Sequence, residues 1–364
     1  MMKNKNYKPR DLELDSIAPN KVITTDLLTR KELQKVETKA KTRFGRMLEK
    51  GTLLLPLLCG GIAVQEYTQI PDNSMNLNPH TYLYTLLILI AIYGFCLIVS
   101  IIRKRNGNSE FYDNVLYRAP LCAALFLLLA LYDFLTIKTG ILTQPFVPCM
   151  NFILNAAWVN RGVLWDCTIH TLALLFLGYT IGVLLGLITG ITCGYSKRCR
   201  YWVDPVIKFL GPIPTSTWIP IMMVVATSLF GGAVFIIALG SWFAVTVSSM
   251  NGISNIDKDY FDVARTLGAT NRQLIFKIAI PAAMPSILSG CTQAMSSSCT
   301  AIMIAEMLGV KSGLGWYMNW SKSWASYDKM FAALFVICII FTVVTKALDV
   351  VKRHVLRWQN EGGK

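Results

Sequence analysis

The sequence predicts an all-α polytopic membrane protein, and three observations support this fold class. The 364 residues are 54% hydrophobic and only 15% charged, although charged residues make up about a quarter of an average soluble domain. Three long stretches, 167–196, 209–256 and 278–305, contain no Asp, Glu, Lys or Arg. An uncharged apolar stretch of about 18 residues or more is typical of a transmembrane helix.

Eight apolar segments are predicted to cross the membrane. The first is weak and short, with Gly60 and Gly61 in its middle and Glu66 near its end. If all eight cross and the N-terminus is inside, the inside loops and tails hold 30 of the 35 Lys and Arg residues. Cytoplasmic loops carry such an excess, so both termini are predicted to be cytoplasmic. The segments span about 52–68, 80–102, 119–137 and 166–194, two lie within 206–250, and the last span 282–308 and 328–350.

Residues 1–50 form a basic tail that contains thirteen Lys or Arg residues. Within it, residues 26–48 can form an amphipathic helix with basic residues around an apolar face. Such a helix tends to lie on an anionic membrane surface, and the alternative is a solvated tail with some helix. The apolar face consists of Leu33, Val36, Ala40, Phe44 and Leu48.

The fourth segment carries a glycine at every fourth position, namely Gly178, Gly182, Gly186, Gly190 and Gly194. This spacing puts small residues on one helix face, where a neighbouring backbone can approach closely. We expect the glycines to pack inside a helix bundle, and the alternative is that they line a pore.

Two stretches between segments are predicted to lie at the outer membrane interface. Residues 146–160 are amphipathic and include Trp158, so they predict a short interfacial helix. Trp316, Trp320 and Trp324 are spaced by four and share one face if their loop is helical. They form either an interfacial aromatic belt or a docking surface for an extracytoplasmic protein.

The loop from Asp257 to Pro285 is the one long polar segment between the later apolar runs. We predict a first short helix over Tyr260–Leu267, a break at Gly268, and a second short helix over Asn271–Ile280 that ends at Pro281. The small side chain of Ala264 would let the first helix fit into a groove of a partner. An apolar contact surface is predicted from Val263, Leu267, Leu274 and Ile275.

The loop resembles the cytoplasmic loop of binding-protein-dependent ABC importer permeases, whose pattern is E-A-A-x3-G-x9-I-x-L-P. All spacings match, and the departures are Asp262 for Glu, Val263 for Ala and Ile280 for Leu. Further motifs resemble the nitrate/sulfonate/taurine/bicarbonate class, so that the resemblance covers about 119–358. They are Asp204-Pro205, Gly211-Pro212-Ile213-Pro214, Trp218-Ile219-Pro220, Ala305-Glu306-Met307-Leu308-Gly309 and Ser312-Gly313-Leu314-Gly315.

The resemblance implies a type I ABC importer fold, with a six-helix core at 111–358 and two additional N-terminal transmembrane helices at 51–110. The partners it implies are cytoplasmic ATPase subunits, a second permease copy in a homodimer, and an external solute-binding protein. The loop at 251–281 would couple ATP hydrolysis to alternating access in a bacterial cytoplasmic membrane. The implied coupling residues are Asp262, Val263, Ala264, Leu267, Gly268, Ile278 and Pro281.

Polar and helix-breaking residues within the apolar segments are candidates for the translocation pathway. Prolines break the fifth segment, and such breaks are tolerated where backbone is buried in protein or lines a cavity. Hydroxyl and amide side chains of the seventh segment could bind a small polar solute, or bond to neighbouring helices instead. The candidates are Pro212, Pro214, Ser216, Thr217, Trp218, Gln293, Ser297, Thr300 and Glu306.

Glu306 is predicted near the outer end of the seventh segment. An intramembrane carboxylate is costly unless it faces water or a partner. Glu306 is therefore either functional, for example by bracing an outer gate or binding a cationic group, or simply solvated at the interface.

Other classes of function lack their motifs in this sequence. The G-x4-G-K-[S/T] phosphate loop is absent, so ATP and Mg²⁺ are expected on the partner ATPase and no cofactor on this chain. The ten Cys and three His show no metal-ligand spacing, no paired carboxylates indicate an enzyme, and the spread of basic residues does not favour nucleic acid. An ion-gradient-driven secondary transporter is the alternative, although it needs charged coupling sites near the midplane.

Overall fold

The described part of the chain is built from α-helices, which are joined by turns and short stretches of 3₁₀- and π-helix. The computed structural model describes residues 43–69, 78, 80–105 and 110–357. The first helices are α1 (Arg43–Thr68), α2 (Thr81–Arg105), α3 (Glu110–Asp133), α4 (Met150–Val159), α5 (Arg161–Tyr195), α6 (Lys197–Leu210) and α7 (Ile219–Val225). They are followed by α8 (Leu229–Ser254), α9 (Lys258–Thr266), α10 (Asn271–Gln273), α11 (Ile280–Gly309), α12 (Leu314–Ser323) and α13 (Tyr327–Val355).

Six helical stretches among the described residues are long and apolar enough to cross a membrane, whereas the sequence predicts eight. The first and the fifth predicted segments are not among the six; in the first, only fifteen uncharged residues separate Lys50 from Glu66, whereas a spanning helix needs about 20. The two additional N-terminal spans are therefore not confirmed as a pair. The six are Thr81–Arg105, Phe111–Lys138, Arg161–Tyr195, Leu229–Ser254, Asn271–Met307 and Tyr327–Val355.

Contacts divide the chain into two compact units. The first unit comprises the residues up to 61 together with 90–127. Its core includes Leu53, Tyr112 and Ala119, and the Tyr93 hydroxyl donates to the Leu53 carbonyl at 2.9 Å. The predicted basic surface helix at 26–48 lies outside the described residues except for its last residues, which belong to α1.

The second unit, residues 62–89 and 128–364, is organised around the contact of α5 with α8. A Cβ placed on any of the five predicted glycines of α5 would lie less than 3.0 Å from an α8 atom. Only glycine therefore permits this approach, which confirms packing as the role of the glycines. They meet, in order, the turns of α8 at Ile237, Ser241, Val245, Ser249 and Ile253.

The same contacts fix the direction and register of the two helices. Gly178 meets Ile237 and Gly194 meets Ile253, so residue numbers rise together and α5 and α8 run parallel. The contact continues over about 24 Å at 1.5 Å per residue. On its other side α8 packs antiparallel to α11, where Gly252 contacts Ser286 and the Ser241 and Ser298 hydroxyls are 2.6 Å apart.

The parallel arrangement requires the chain between α5 and α8 to return along the whole length of the pair. Ile207 packs with Met250, Gly211 lies against Phe243, and Ile219 packs with Ile236. The fifth predicted segment thus runs antiparallel to α8, but in pieces: the last turn of α6, a 3₁₀ turn at Thr215–Trp218, and α7. The prolines of this segment prevent one continuous spanning helix.

The end of the second unit where α5 begins carries two short helices. The helix predicted within 146–160 is present as α4, which packs on α13 through Ile153 and Ala332. In α12 the rings of Trp316 and Trp320 are stacked with centroids 6.1 Å apart, and Trp324 continues the row. We call this end the α12 end, and the opposite end, where α8 leads into α9, the loop end.

We predict that Gly190→Ala destabilises the second unit. The new methyl group would lie 2.6 Å from the Ser249 Cβ and 2.8 Å from the Thr246 carbonyl oxygen, so the helices must separate. Overpacking of this kind costs about 1–3 kcal/mol, which a thermal melt of the purified protein in detergent would measure. Gly162→Ala is the matched control on the same helix, because nothing lies within 4 Å of its added Cβ. Equal melting temperatures for the two variants would contradict the proposed contact.

Candidate functional site

The loop between α8 and α11 begins with the short helix α9, which has well-defined ends. The Asp257 side chain caps its N-terminus by accepting from the Asp259 amide at 3.2 Å. At its C-terminus the Gly268 amide donates to the Arg265 carbonyl and the Ala269 amide to the Ala264 carbonyl, which is a Schellman motif. Gly268 has φ +79°, a conformation that favours glycine. The predicted helix break at this residue is therefore present.

The second half of the loop differs from the prediction. Thr270 and Gln273 form a capping box that starts α10, but this helix does not end at Pro281. It continues through a π-helical stretch, Leu274–Ala279, directly into α11. A wider π-turn before Pro281 accommodates its missing N–H and its ring, which would otherwise disrupt an α-helix. The loop is thus one short helix joined by a tight turn to the start of a spanning helix.

The exposed apolar surface of the loop includes fewer of the predicted contact residues than expected. Val263 and Leu267 are 60% and 82% exposed. Leu274 is fully buried, so its predicted place in the contact surface is wrong. Ala264 is also buried, and α9 contacts the π-helical stretch.

The remaining predicted coupling residues lie on the same loop. The Asp262 carboxylate accepts from the Arg265 guanidinium at 3.2 Å, and both side chains are exposed. Ile278 is half-buried in the π-helical stretch, and Pro281 is exposed at the start of α11.

At the loop end, other chain segments bond to the loop and to the two helices that flank it. The Arg200 guanidinium of α6 donates to the Ser254 hydroxyl at 3.1 Å, and the Tyr195 hydroxyl donates to the Asn271 side chain at 3.3 Å. From α13, the Lys352 ammonium donates to the Ser289 hydroxyl at 2.9 Å. The basic residues of α6, the loop and the end of α13 therefore gather at one end of the unit.

We call the proline-interrupted stretch 206–225 the broken segment. A cleft of about 470 Å³ opens between this broken segment, α8 and α11. It brings together six of the nine predicted pathway residues: Pro214, Ser216, Trp218, Gln293, Ser297 and Thr300. On α11 the residues 293, 297, 300 and 304 form one stripe at helical spacing. Pro212, Thr217 and Glu306 are not among the lining residues.

The α8 wall of the cleft was missed by sequence reasoning. It includes Gly240, Ala244 and Ser248, together with Trp242 and Phe243. The signal was present, because Gly240, Ala244 and Ser248 are small residues at a spacing of four within the longest uncharged stretch. The sequence does not show that the broken segment and α11 flank this face, so these residues could not be assigned to a cleft.

The chemistry of the cleft is neutral and polar. None of its lining residues in the described chain is charged. Gln293 and Ser297 have no hydrogen-bond partner among the described residues, whereas the Trp242 indole N–H is already bound to the Thr189 hydroxyl at 3.0 Å. The free amide and hydroxyl groups can bind a small polar solute by hydrogen bonds.

Glu306 is not solvated at an interface, which was one of its two predicted states. Its side chain is fully buried and lies away from the cleft. The carboxylate accepts from the Gly315 amide at 2.8 Å, while the Thr171 hydroxyl oxygen accepts from the Leu314 amide at 2.9 Å. Two spanning helices, α11 and α5, therefore cap the N-terminus of α12. A Cβ on Gly313 would collide with the Glu306 carboxylate, which explains the glycine there.

Comparisons with known proteins find relatives over the same part of the chain. A family model described as binding-protein-dependent transport system inner membrane component matches residues 182–360. The putative aliphatic sulfonates transport permease protein SsuC of Bacillus subtilis is 33% identical over 192 residues, which cover 50% of this chain and 67% of that protein. The bicarbonate transport system permease protein CmpB of Synechococcus elongatus is 27% identical over 208 residues, covering 56% and 72%. The taurine transport system permease protein TauC of Escherichia coli is 25% identical over 198 residues, covering 54% and 72%.

Similar solved structures include an inward-facing form of the MetNI methionine ABC transporter, at 20% identity and a TM-score of 0.46, covering 54% of this chain and 96% of that one. An amino acid ABC transporter is similar at 21% identity and a TM-score of 0.46, covering 56% and 96%.

We predict that Glu306→Ala loosens α12 from the bundle, because the buried Gly315 amide loses its acceptor. The expected cost is about 1–3 kcal/mol. Glu306→Gln should cost less, since it keeps an oxygen for that amide. The tryptophan fluorescence of α12 during a thermal melt would report the change. Equal losses for the two variants would show that the hydrogen bond to Gly315 does not hold the helix.

Proposed function

Because the chain belongs to the family of binding-protein-dependent transport system inner membrane components, we propose that it is the permease subunit of an ATP-driven ABC importer. The observation that carries this proposal is the loop Asp257–Pro281, which has all the spacings of the family pattern. Its first helix is capped at both ends and projects exposed apolar side chains. The ATPase is the partner proposed for that surface.

The loop is suited to transmit motion. Asp257 fixes the start of α9, the Schellman motif at Gly268 fixes its end, and the capping box fixes the next turn. From there the chain continues without interruption into α11. A displacement of α9 by a moving ATPase would therefore be passed to α11 as a whole, and α11 carries the stripe of cleft residues.

The cleft supports the proposal of a second permease copy. An open polar groove in a spanning region cannot face hydrocarbon without cost, because lipid offers its polar groups no hydrogen bonds. Covering by a second copy would turn two half-clefts into one enclosed pathway. ATP-driven alternating access would open that pathway to each side of the membrane in turn.

The orientation follows from the distribution of charge. Lys197, Arg198, Arg200, Lys258, Arg265, Arg272, Lys277 and Lys352 all lie at the loop end. The positive-inside rule assigns such an end to the cytoplasm. The α12 end would then face an external binding protein.

The substrate class proposed is a small polar anion or zwitterion of the sulfonate, taurine or bicarbonate type, by similarity to the relatives. The neutral cleft would hold such a solute through amide and hydroxyl groups. A pathway without a fixed cation binds an anion weakly and so releases it readily, which leaves strong selection to the binding protein.

We predict that Gly268→Val uncouples ATP hydrolysis from uptake. A β-branched residue is strained at φ +79°, so the end of α9 must reorganise. In proteoliposomes that contain the permease, its ATPase and its binding protein, uptake of taurine, ethanesulfonate or bicarbonate should fall at least about tenfold per ATP hydrolysed, as for a loss of about 1.4 kcal/mol or more.

Gly268→Asn is the matched control, because Asn adopts positive φ far more readily than Val, and the added Cβ has open space. It should retain most of the coupling. Normal coupling in the Val variant would argue against α9 as the coupling element.

We predict that Ser297→Phe blocks uptake by filling the cleft, whereas Ser297→Ala keeps it open and loses no more than one hydrogen bond, about 0.5–1.5 kcal/mol. Assembly with the ATPase, checked by co-purification, should be unchanged in both. Full uptake by an assembled Phe variant would show that the pathway lies elsewhere.

A further inference from the structure

Helix α6 presents three distinct faces at the loop end of the second unit. One face is buried, where Val203 and Ile207 pack against Cys193 and Met250. This packing anchors the helix beside the ends of α5 and α8. The other two faces have no function in the coupling loop or in the cleft, except where the last residue, Leu210, reaches the cleft.

The second face is apolar but exposed. Trp202 and Phe209 are 76% and 71% exposed, and Val206 lies between them. These residues are spaced by four and three, so they form one stripe along the helix. Tyr201 stands beside the stripe with its ring 5.5 Å from that of Trp202. Aromatic residues of this kind are enriched where a membrane meets water.

The third face is cationic. Lys197 is exposed in the first turn of α6, and the exposed Arg198 lies four residues before Trp202, at the start of the apolar stripe. Neither cation has an ion-pair partner among the described residues. The one acid, Asp204, is 2.7 Å from the Lys208 ammonium, and hydrogen bonding to that ammonium lowers the pKa of Asp204. Because this pair is internally neutral, the free positive charge of α6 comes from its first turn and from Arg200.

We propose that α6 is a binding surface for anionic phospholipid headgroups at the membrane surface. The occupant follows from charge complementarity and position: free cations flank an exposed aromatic stripe at the level where the spanning helices end. An amphipathic helix with this pattern lies in the interfacial plane and prefers anionic lipid. The proposal concerns lipid recognition and does not depend on the solute transported.

The lipid contact would also bear on the cleft. α6 leads through Leu210 into Gly211, and both residues line the cleft. At its other end, Arg200 is bonded to Ser254 beside the coupling loop. A headgroup-bound α6 therefore fixes the start of the broken segment at the membrane surface.

The test measures which lipid surrounds Trp202. The full-length protein is placed in nanodiscs of phosphatidylcholine with a minority of phosphatidylglycerol. Two preparations are compared, one with brominated phosphatidylcholine and one with brominated phosphatidylglycerol, because bromine quenches the fluorescence of a nearby tryptophan. The signal of Trp202 is the difference between the wild-type protein and Trp202→Phe. We expect phosphatidylglycerol to be enriched around Trp202. In the double variant Lys197→Gln/Arg198→Gln, this enrichment should fall about fivefold for each cation removed.

Two controls keep the result interpretable. Lys197→Arg/Arg198→Lys preserves the charge and should preserve the enrichment. Lys311→Gln/Lys322→Gln removes two cations at the α12 end and should leave the Trp202 signal unchanged. Equal quenching by the two brominated lipids in the wild-type protein would overturn the proposal. Absence of quenching by either lipid would also overturn it, since Trp202 would then be covered by protein, for example a second copy.

Discussion

The close approach of α5 to α8 is the contact on which the rest of the second unit depends. Five glycines let the two backbones touch over more than four turns, and no other residue fits at those positions. Because the helices are parallel, the intervening chain must return between their ends. That return brings prolines and hydroxyl residues against α8, and the cleft forms where the broken segment, α8 and α11 meet.

The loop and the cleft are connected by one uninterrupted helix. The capping box at Thr270 starts a helix that runs through the π-helical stretch into α11. Gln293, Ser297 and Thr300 therefore stand on the same continuous helical body as the end of the loop. The buried Leu274 and Ala279 pack the start of this body against the rest of the unit.

The sequence predicts much of this arrangement where a local pattern has one physical solution. Glycine at every fourth position requires a close helix contact, and Gly268 after a short polar helix requires a turn. Prediction fails where the outcome depends on tertiary partners. Pro281 normally ends a helix, but the π-turn before it accommodates the ring. Leu274 is apolar like Leu267, and only the packing of α9 decides which of the two is buried. For Glu306, its partner is a backbone amide nine residues later, which leaves no side-chain signal in the sequence.

The capping of α12 makes that helix depend on two others at once. Thr171 belongs to α5 and Glu306 to α11, and each accepts one of the first amides of α12. Any motion that draws α5 and α11 apart at this end leaves at least one of these two amides without its acceptor. The row of Trp316, Trp320 and Trp324 sits on this helix. Both first amides of this helix therefore have their acceptors only when the two spanning helices lie side by side.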